Sequence, residues 1–364
     1  PRAKALNRLL YESSATLLRN NDSLVPIARP DTLNIAYVST GTTAEADHFG
    51  NMLSLYAPIE KYSLSGDARP KDVDALIGQL EGHDLVIIGI RNTTIYPYQD
   101  YGIPATSWDL IRKLRGKTKV ILDLFASPYA IANLGTAELP EAVIVSYQDD
   151  PLSQEAGAGI IFGGVAAQGR LPVKVSGHFD IGEGFSTTRC RLGFAEPALL
   201  GIAQEYIDRA DSIALSGIRL KAYPGCQVLA ARDGKIFYNK AFGHQTYDGE
   251  RSVMITDLYD LASLTKIGAT TLALAGMYEQ GLMDIDRRLS DYLPYLKNTD
   301  KKDIIIRELM AHQSRFRSWI PYFRYTLDIP AQGFPVYSHE LSEDYNIRVA
   351  EGMYIHRDYY HAIL

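Results

Sequence analysis

Ser263 and Lys266 stand three residues apart, at the head of an Ala/Leu-rich stretch running from Ile267 to Gln280. Three residues is nearly one helical turn, so the hydroxyl and the ammonium share a helix face. A serine hydroxyl is a weak nucleophile at neutral pH and needs an adjacent proton acceptor. A lysine fills that role when burial or neighbouring positive charge lowers its pKa. A helix start also offers backbone N–H groups, that of Ser263 included, to a developing oxyanion. The pair reads as an acylated nucleophile, Ser263, with Lys266 as its proton acceptor. The same spacing also describes an N-capping serine followed by a solvated lysine, so the surroundings have to decide.

A second set of polar side chains could face a sugar: Glu45, Asp47, His48 and Glu183, all expected in loops. Solvated loop charge is the ordinary reading for such residues, and none of them is given a catalytic role.

The elements that must carry these residues fall into two halves. From Leu33 to Ser146, four apolar β-branched runs alternate with amphipathic segments: Leu33–Ser39, Asp84–Ile90, Lys119–Phe125 and Ala142–Tyr147. Runs apolar on both faces suit strands covered by helices on two sides. Lys71–Leu80 carries Val73, Leu76, Ile77 and Leu80 at helical spacing, and Ser107–Leu114 is expected to open on a capping Ser107. Alternation of strand and helix predicts a parallel α/β sheet. Phe194–Ser216 has the spacing of one amphipathic helix. Beyond it, Cys226–Ala231 and Lys235–Phe242 flank Arg232-Asp233-Gly234, which predicts a hairpin.

Composition narrows the classes. At 46% hydrophobic and 22% charged residues over 364 positions, both halves can bury a core. A net charge of −6 without a basic stripe argues against a nucleic-acid binder. The turn after the first strand, from Gly41 to Glu45, lacks the G-x-G-x-x-G cradle, and no P-loop occurs. No cofactor or metal is implied. Cys190 and Cys226 are expected to be buried small hydrophobes, with a single long-range bridge as the alternative. No apolar run is long enough to span a membrane. The chain lacks an initiator Met, as an excised piece would.

Leu6–Ile27, with its Thr-Leu-Leu-x-Asn pattern, resembles the opening helix and turn of the second domain of family 3 glycoside hydrolases. Phe162–Val175, with its Gly-rich turn and Gly-Arg-Leu-Pro, resembles that domain's closing segment, and Pro128-Tyr129 and Tyr147-Gln148 stand where the family places such pairs. The resemblance covers roughly residues 1–194 and implies a sugar-hydrolysing parent of β-N-acetylhexosaminidase type. In that family the nucleophilic carboxylate belongs to a preceding barrel, so a missing N-terminal barrel domain is the implied intramolecular partner. Retaining glycosidases need two carboxyl groups about 5–5.5 Å apart, and one domain cannot supply that pair alone.

The second half resembles serine β-lactamases of the class C and penicillin-binding type. Gly281–Pro294 matches the Tyr-Leu-Pro stretch that follows their active-site helix, and Ile304–Ser314 matches the next, His-containing helix. Hairpin, Ser-x-x-Lys helix and these two segments keep the family order across residues 221–316. Departures are clear. His312-Gln313-Ser314-Arg315 stands for His-Thr-Ser-Gly, and His312 is expected to be a structural helix residue. No Tyr-x-Asn occurs, Tyr337-Ser338 and Tyr345-Asn346 being poor substitutes. No Lys-Thr-Gly or His-x-Gly follows Ser263; His48-Phe49-Gly50 has that form in the wrong half. The stretch from Trp319 to Leu364 shows no strand series, and its Tyr322, Tyr325, Tyr359 and Tyr360 are expected to pack rather than stack on sugars. The chain is expected to end inside this domain with an incomplete acyl-transfer site.

The expected architecture is a parallel-sheet α/β sandwich domain over 1–194, a connecting helix over 195–216, and a partial β-lactamase/transpeptidase-like α+β domain over 217–364. The expected function is that of a bacterial cell-wall hydrolase fragment acting on carbohydrate or peptidoglycan-derived substrate, in the periplasm or outside the cell. An esterase, a D-amino-acid peptidase and a non-catalytic glycan-contacting module are the alternatives.

Overall fold

The computed structural model describes residues 2–41, 47–175, 177–316 and 335–363. Packing divides the chain into two units, Pro1–Asp257 and Leu258–Leu364.

The first unit opens with α1 (Arg2–Ser14) and β1 (Thr16–Asn20). There follow β2 (Ile35–Thr40), α2 (His48–Ser54), β3 (Glu60–Leu64), α3 (Pro70–Leu80), β4 (Leu85–Ile90) and α4 (Ala105–Leu114). β5 (Lys119–Leu124), β6 (Ala142–Val145) and α5 (Pro151–Phe162) complete the layer. The sheet order is β1-β6-β5-β4-β2-β3, parallel throughout except for the antiparallel edge β1. Every residue of β2, β4 and β6 is buried, as two-sided apolar strands require. One face packs on α3 and α4 through Leu76, Leu80, Leu110 and Leu114. The other packs on α2 and α5 through Phe49, Leu53, Ile160 and Phe162. The α/β expectation therefore holds.

Local chemistry sets the helix ends. Asp72 accepts the backbone N–H of Arg69 at 2.8 Å just ahead of α3, and Pro70 fills its first position. Asp150 caps α5, which stops at Gly163 in the left-handed region (φ 80°). Ser107 is not a cap: α4 begins two residues earlier, after Pro104, and Ser107 is buried within its first turn. Pro104 fixes an extended approach and leaves the helix to start at Ala105.

Beyond the sheet, the expected single helix over Phe194–Ser216 is three elements. β7 (Gly193–Phe194) and a 3-10 turn (Pro197–Leu200) precede α6 (Gln204–Arg219), because Gly201 turns left-handed (φ 69°) between them. α6 buries Ile207 and Ala214 while Tyr206 and Ile213 stay exposed, so most of its apolar stripe is uncovered. The hairpin is present as β8 (Gly225–Arg232) and β9 (Lys235–Gly243). Asp233 and Gly234 both have positive φ, the two-residue turn that matches strand twist. Cys190 is exposed and Cys226 half-buried, and both are free thiols, so the buried reading fails for Cys190.

In the second unit a 3-10 turn (Ala262–Leu264) and a π-turn (Lys266–Thr271) lead into α7 (Leu272–Glu279). α8 (Leu289–Tyr292) and α9 (Ile306–Met310) follow. The segment without expected strands does hold a small sheet: β10 (Tyr337–Ser338), β11 (Ile347–Ala350) and β12 (Met353–Ile355), ordered β10-β12-β11, then α10 (Arg357–Ile363). These strands are two to four residues long and mostly half-exposed, too short for a periodic signal. Tyr359 is buried and Tyr360 packs beside it, whereas Tyr322 and Tyr325 lie outside the described residues.

Candidate active site

The carboxyl ends of β4, β5 and β6 open into a cleft of about 470 Å³, the place where open parallel sheets hold ligands. Thr93, Thr94, Ser127, Tyr147, Gln148 and Asp149 line it. Tyr147 and Gln148, singled out in the sequence, are both in this wall. Tyr147 adopts positive φ (63°) and its hydroxyl meets Thr16 Oγ1 at 2.8 Å; Tyr11 donates to Gln148 at 2.9 Å. Exposed Tyr96 and Tyr98 stand beside each other on the 93–103 loop, with ring centroids 5.5 Å apart.

A buried ion network braces this end of the sheet. Arg91 donates from Nη1 to Asp47 at 2.6 Å and from Nε to Asp149 at 2.7 Å. Asp149 also accepts from the backbone N–H of Asn92 and from Gln154, each at 2.7 Å. Burial works against the Arg91 charge, yet the two carboxylates more than offset it and its pKa rises. Asp47 is therefore no solvated loop charge: it is 4% exposed and caps α2 through the N–H of Gly50. His48 lies on α2 rather than in a loop, with Nε2 3.0 Å from Glu155. Glu183 is exposed and accepts the Asp180 N–H at 2.9 Å. Glu45 lies outside the described residues. Arg91 and Asp149 carried no sequence signal, since partners 44 and 58 positions apart are invisible to local spacing.

In the second unit, Lys266 donates from Nζ to Ser263 Oγ at 3.1 Å. The two residues are held by an unusual stretch of backbone. Asp260 accepts the N–H of Ala262 at 2.7 Å, and Ala262 sits in the left-handed region (φ 43°). Ser263 then occupies the 3-10 turn, and Lys266 begins the π-turn, closed by Thr271 Oγ1 on the Lys266 carbonyl at 2.8 Å. A π-turn and a strained non-glycine residue beside one hydroxyl are features that gather at functional sites. Burial is the departure. Ser263 and Lys266 are exposed, and so are Leu261, Leu264 and Ile267 around them, the last at 68%. Among the described residues, Lys266 is the side chain hydrogen-bonded to Ser263.

Residues 218–344 match the Beta-lactamase family model. This stretch is a β-lactamase-family domain. Curated relatives of the chain include Protein flp of Staphylococcus aureus (strain NCTC 8325 / PS 47), 30% identical over 107 residues, which are 29% of this chain and 21% of that protein. N-acetylmuramyl-L-alanine amidase of Bacillus subtilis (strain 168) is 30% identical over 131 residues, covering 32% of this chain and 29% of the relative. The chain thus spans well under a third of the length of Protein flp. Two solved glycoside hydrolase family 3 β-N-acetylglucosaminidases are also similar to it. That of Paenibacillus sp. str. FPU-7 covers 48% of this chain and 33% of its own at 18% identity and TM-score 0.39. A fungal multi-domain enzyme covers 50% and 20% at 19% identity and TM-score 0.40.

Within the second unit the remaining candidates pack elsewhere. Tyr337 belongs to β10, next to buried Val336 and Ile355. Tyr345 donates to the Pro335 carbonyl and stands edge-on to His356, with ring centroids 5.1 Å apart. His312 is not inside a helix: it follows α9 in the left-handed region (φ 58°), exposed, its N–H on the Leu309 carbonyl. Its role is to end the helix, as an αL residue does.

Proposed function

We propose that this chain is part of a bacterial cell-wall hydrolase in which Ser263 forms an acyl-enzyme and Lys266 accepts its proton. The observation that carries this reading is the 3.1 Å contact between Lys266 Nζ and Ser263 Oγ inside a β-lactamase-family stretch. Oγ would attack the acyl carbonyl as its proton passes to a neutral Lys266, and the Ser263 N–H would face the resulting oxyanion. Collapse of that intermediate would break the bond to the amine or alcohol, which leaves with the proton from Lys266. Water would then release the acyl group. For Lys266 to be neutral the site needs cover, so the reaction requires chain or substrate that shields Ser263 and brings further polar groups to it.

The first half is proposed as the second domain of a family 3 glycoside hydrolase of β-N-acetylhexosaminidase type, ending near residue 194, with residues 195–216 joining it to the serine hydrolase from 217. The glycosidase nucleophile would come from a barrel domain of the longer protein. Support comes from the ordered sequence motifs of 1–194 and from the cleft at the sheet's carboxyl end, which offers hydroxyls, an amide and a braced carboxylate to a sugar. Substrates would be peptidoglycan-derived glycans and their acyl or peptide appendages, which places the protein in the periplasm or outside the cell. An esterase or D-amino-acid peptidase uses the same core. The exposure of both Ser263 and Lys266 favours, as a second reading, a non-catalytic glycan-contacting module.

Turnover by the full-length protein separates these readings. A chromogenic β-N-acetylglucosaminide and a panel of penicillins and esters should both be hydrolysed, and Ser263→Ala should abolish only the acyl reactions. Acyl turnover surviving in Ser263→Ala would end the serine reading, and none in a folded native protein would favour the module.

A further inference from the structure

Leu261 has right-handed backbone angles (φ −75°, ψ −11°), and Ala262 directly after it is left-handed (φ 43°). That succession turns consecutive N–H groups to one side and makes a concave seat for an anion. The seat is filled from within the chain, because Asp260 Oδ1 accepts the Ala262 N–H at 2.7 Å. A carboxylate bonding the backbone two residues on is a local turn that aspartate favours. Alanine does not choose the left-handed region by itself, since its Cβ crowds the following carbonyl there. Something beside it has to hold the conformation, and the Asp260 carboxylate is in place to do so.

The direction of Ser263 follows from this turn. Ala262 is the first residue of the 3-10 turn that carries Ser263, and the Leu264 N–H returns to the Leu261 carbonyl at 2.9 Å. The Thr265 N–H reaches the carbonyls of Ala262 and Ser263. Downstream, Thr271 Oγ1 donates to the Lys266 carbonyl at 2.8 Å, five residues back, which is the spacing of the π-turn. Each member of the pair therefore has a side-chain clasp on nearby backbone, Asp260 ahead of Ser263 and Thr271 behind Lys266. Between the clasps lies the 3.1 Å contact from Nζ to Oγ. A displacement of about 1 Å in a contact of this kind can cost about a hundredfold in rate.

We propose that Asp260 is a positioning residue for the acyl reaction: seated against the Ala262 N–H, its carboxylate holds the left-handed turn that aims Ser263 Oγ at Lys266. The proposal rests on the reading of Ser263 as nucleophile. The role belongs to the acceptor oxygen, so asparagine takes it over in large part and alanine does not. Glycine at position 262 adopts the turn unaided and makes the clasp dispensable.

The rate at which a fluorophosphonate labels the Ser263 peptide of the full-length folded protein tests this, split into reagent affinity and maximal rate. Asp260→Ala should lower the maximal rate about tenfold, the loss expected for one charged hydrogen bond. Reagent affinity and the pH dependence of labelling should not move. Asp260→Asn should stay within about threefold of native, since it keeps an acceptor but not the charge. Asp260→Ala combined with Ala262→Gly should regain most of the lost rate, which a general loss of structure would not allow. Native labelling matched by an equally fast Asp260→Ala protein overturns the proposal and leaves Ser263 as nucleophile. So does Asp260→Asn labelling as slowly as Asp260→Ala, or a double variant that regains nothing. A native protein that takes no label at Ser263 ends the serine reading itself, and the positioning role with it.

Discussion

Asp123 and Gly157 touch in the middle of the α/β layer. A Cβ added to Gly157 would stand 2.0 Å from Asp123 Oδ2, so α5 approaches β5 at a position only glycine permits. Gly157→Ala is therefore expected to destabilise the protein by about 1–3 kcal/mol, the usual result of overpacking. Denaturant unfolding of the two proteins measures it; equal midpoints would mean that helix and strand separate without cost.

The same acid gives the fold a pH dependence. Asp123 is fully buried on a central strand, in register with Gly89 and Ile144, and Ser146 Oγ donates to its Oδ1 at 2.7 Å. Burial pushes its carboxyl from an ordinary 3.8 up to about 8, against a smaller opposite pull from Ser146. Between those values the unfolded chain binds fewer protons than the folded one. Stability should therefore fall as pH rises from 4 to 8, by up to about 1.4 kcal/mol per pH unit, and level off above. Urea midpoints across that range should slope downward for the native protein relative to Asp123→Asn, and parallel lines would contradict this.

Removing the cation between two buried carboxylates should cost more. Arg91→Met keeps an unbranched apolar stem but removes the guanidinium and strands Asp47 and Asp149, so a loss of about 3–5 kcal/mol is expected. Asp149 lines the cleft, so on the proposed glycan-binding reading the affinity for N-acetylglucosamine, read by calorimetry, should fall as well. A variant of native stability would mean that water already reaches both acids.

What could be read from the sequence follows from what is local. The four central strands show because each is apolar on both faces over consecutive residues. β3 does not, since Glu60–Leu64 is mostly exposed and has no such run; β1 does not because, though largely buried, its apolar run is only Leu17-Leu18 before Arg19 and Asn20. Ser263 and Lys266 are legible because three residues along a helical turn fix their approach. Their exposure is not, because burial depends on what packs over a turn and not on the turn itself. Arg91 between Asp47 and Asp149 was hidden for the same reason: the chain returns twice to one point. His312 looked helical by pattern, but only backbone geometry reveals that it ends α9.

The direct test of Ser263 as nucleophile is to treat the full-length folded protein with a fluorophosphonate or penicillin and locate the adduct by peptide mass spectrometry. The expected result is one adduct on the peptide containing Ser263, lost in Ser263→Ala and slowed at least about a hundredfold in Lys266→Ala, as removal of a proton acceptor implies. No adduct on the folded native protein, or labelling that survives Ser263→Ala, would contradict it.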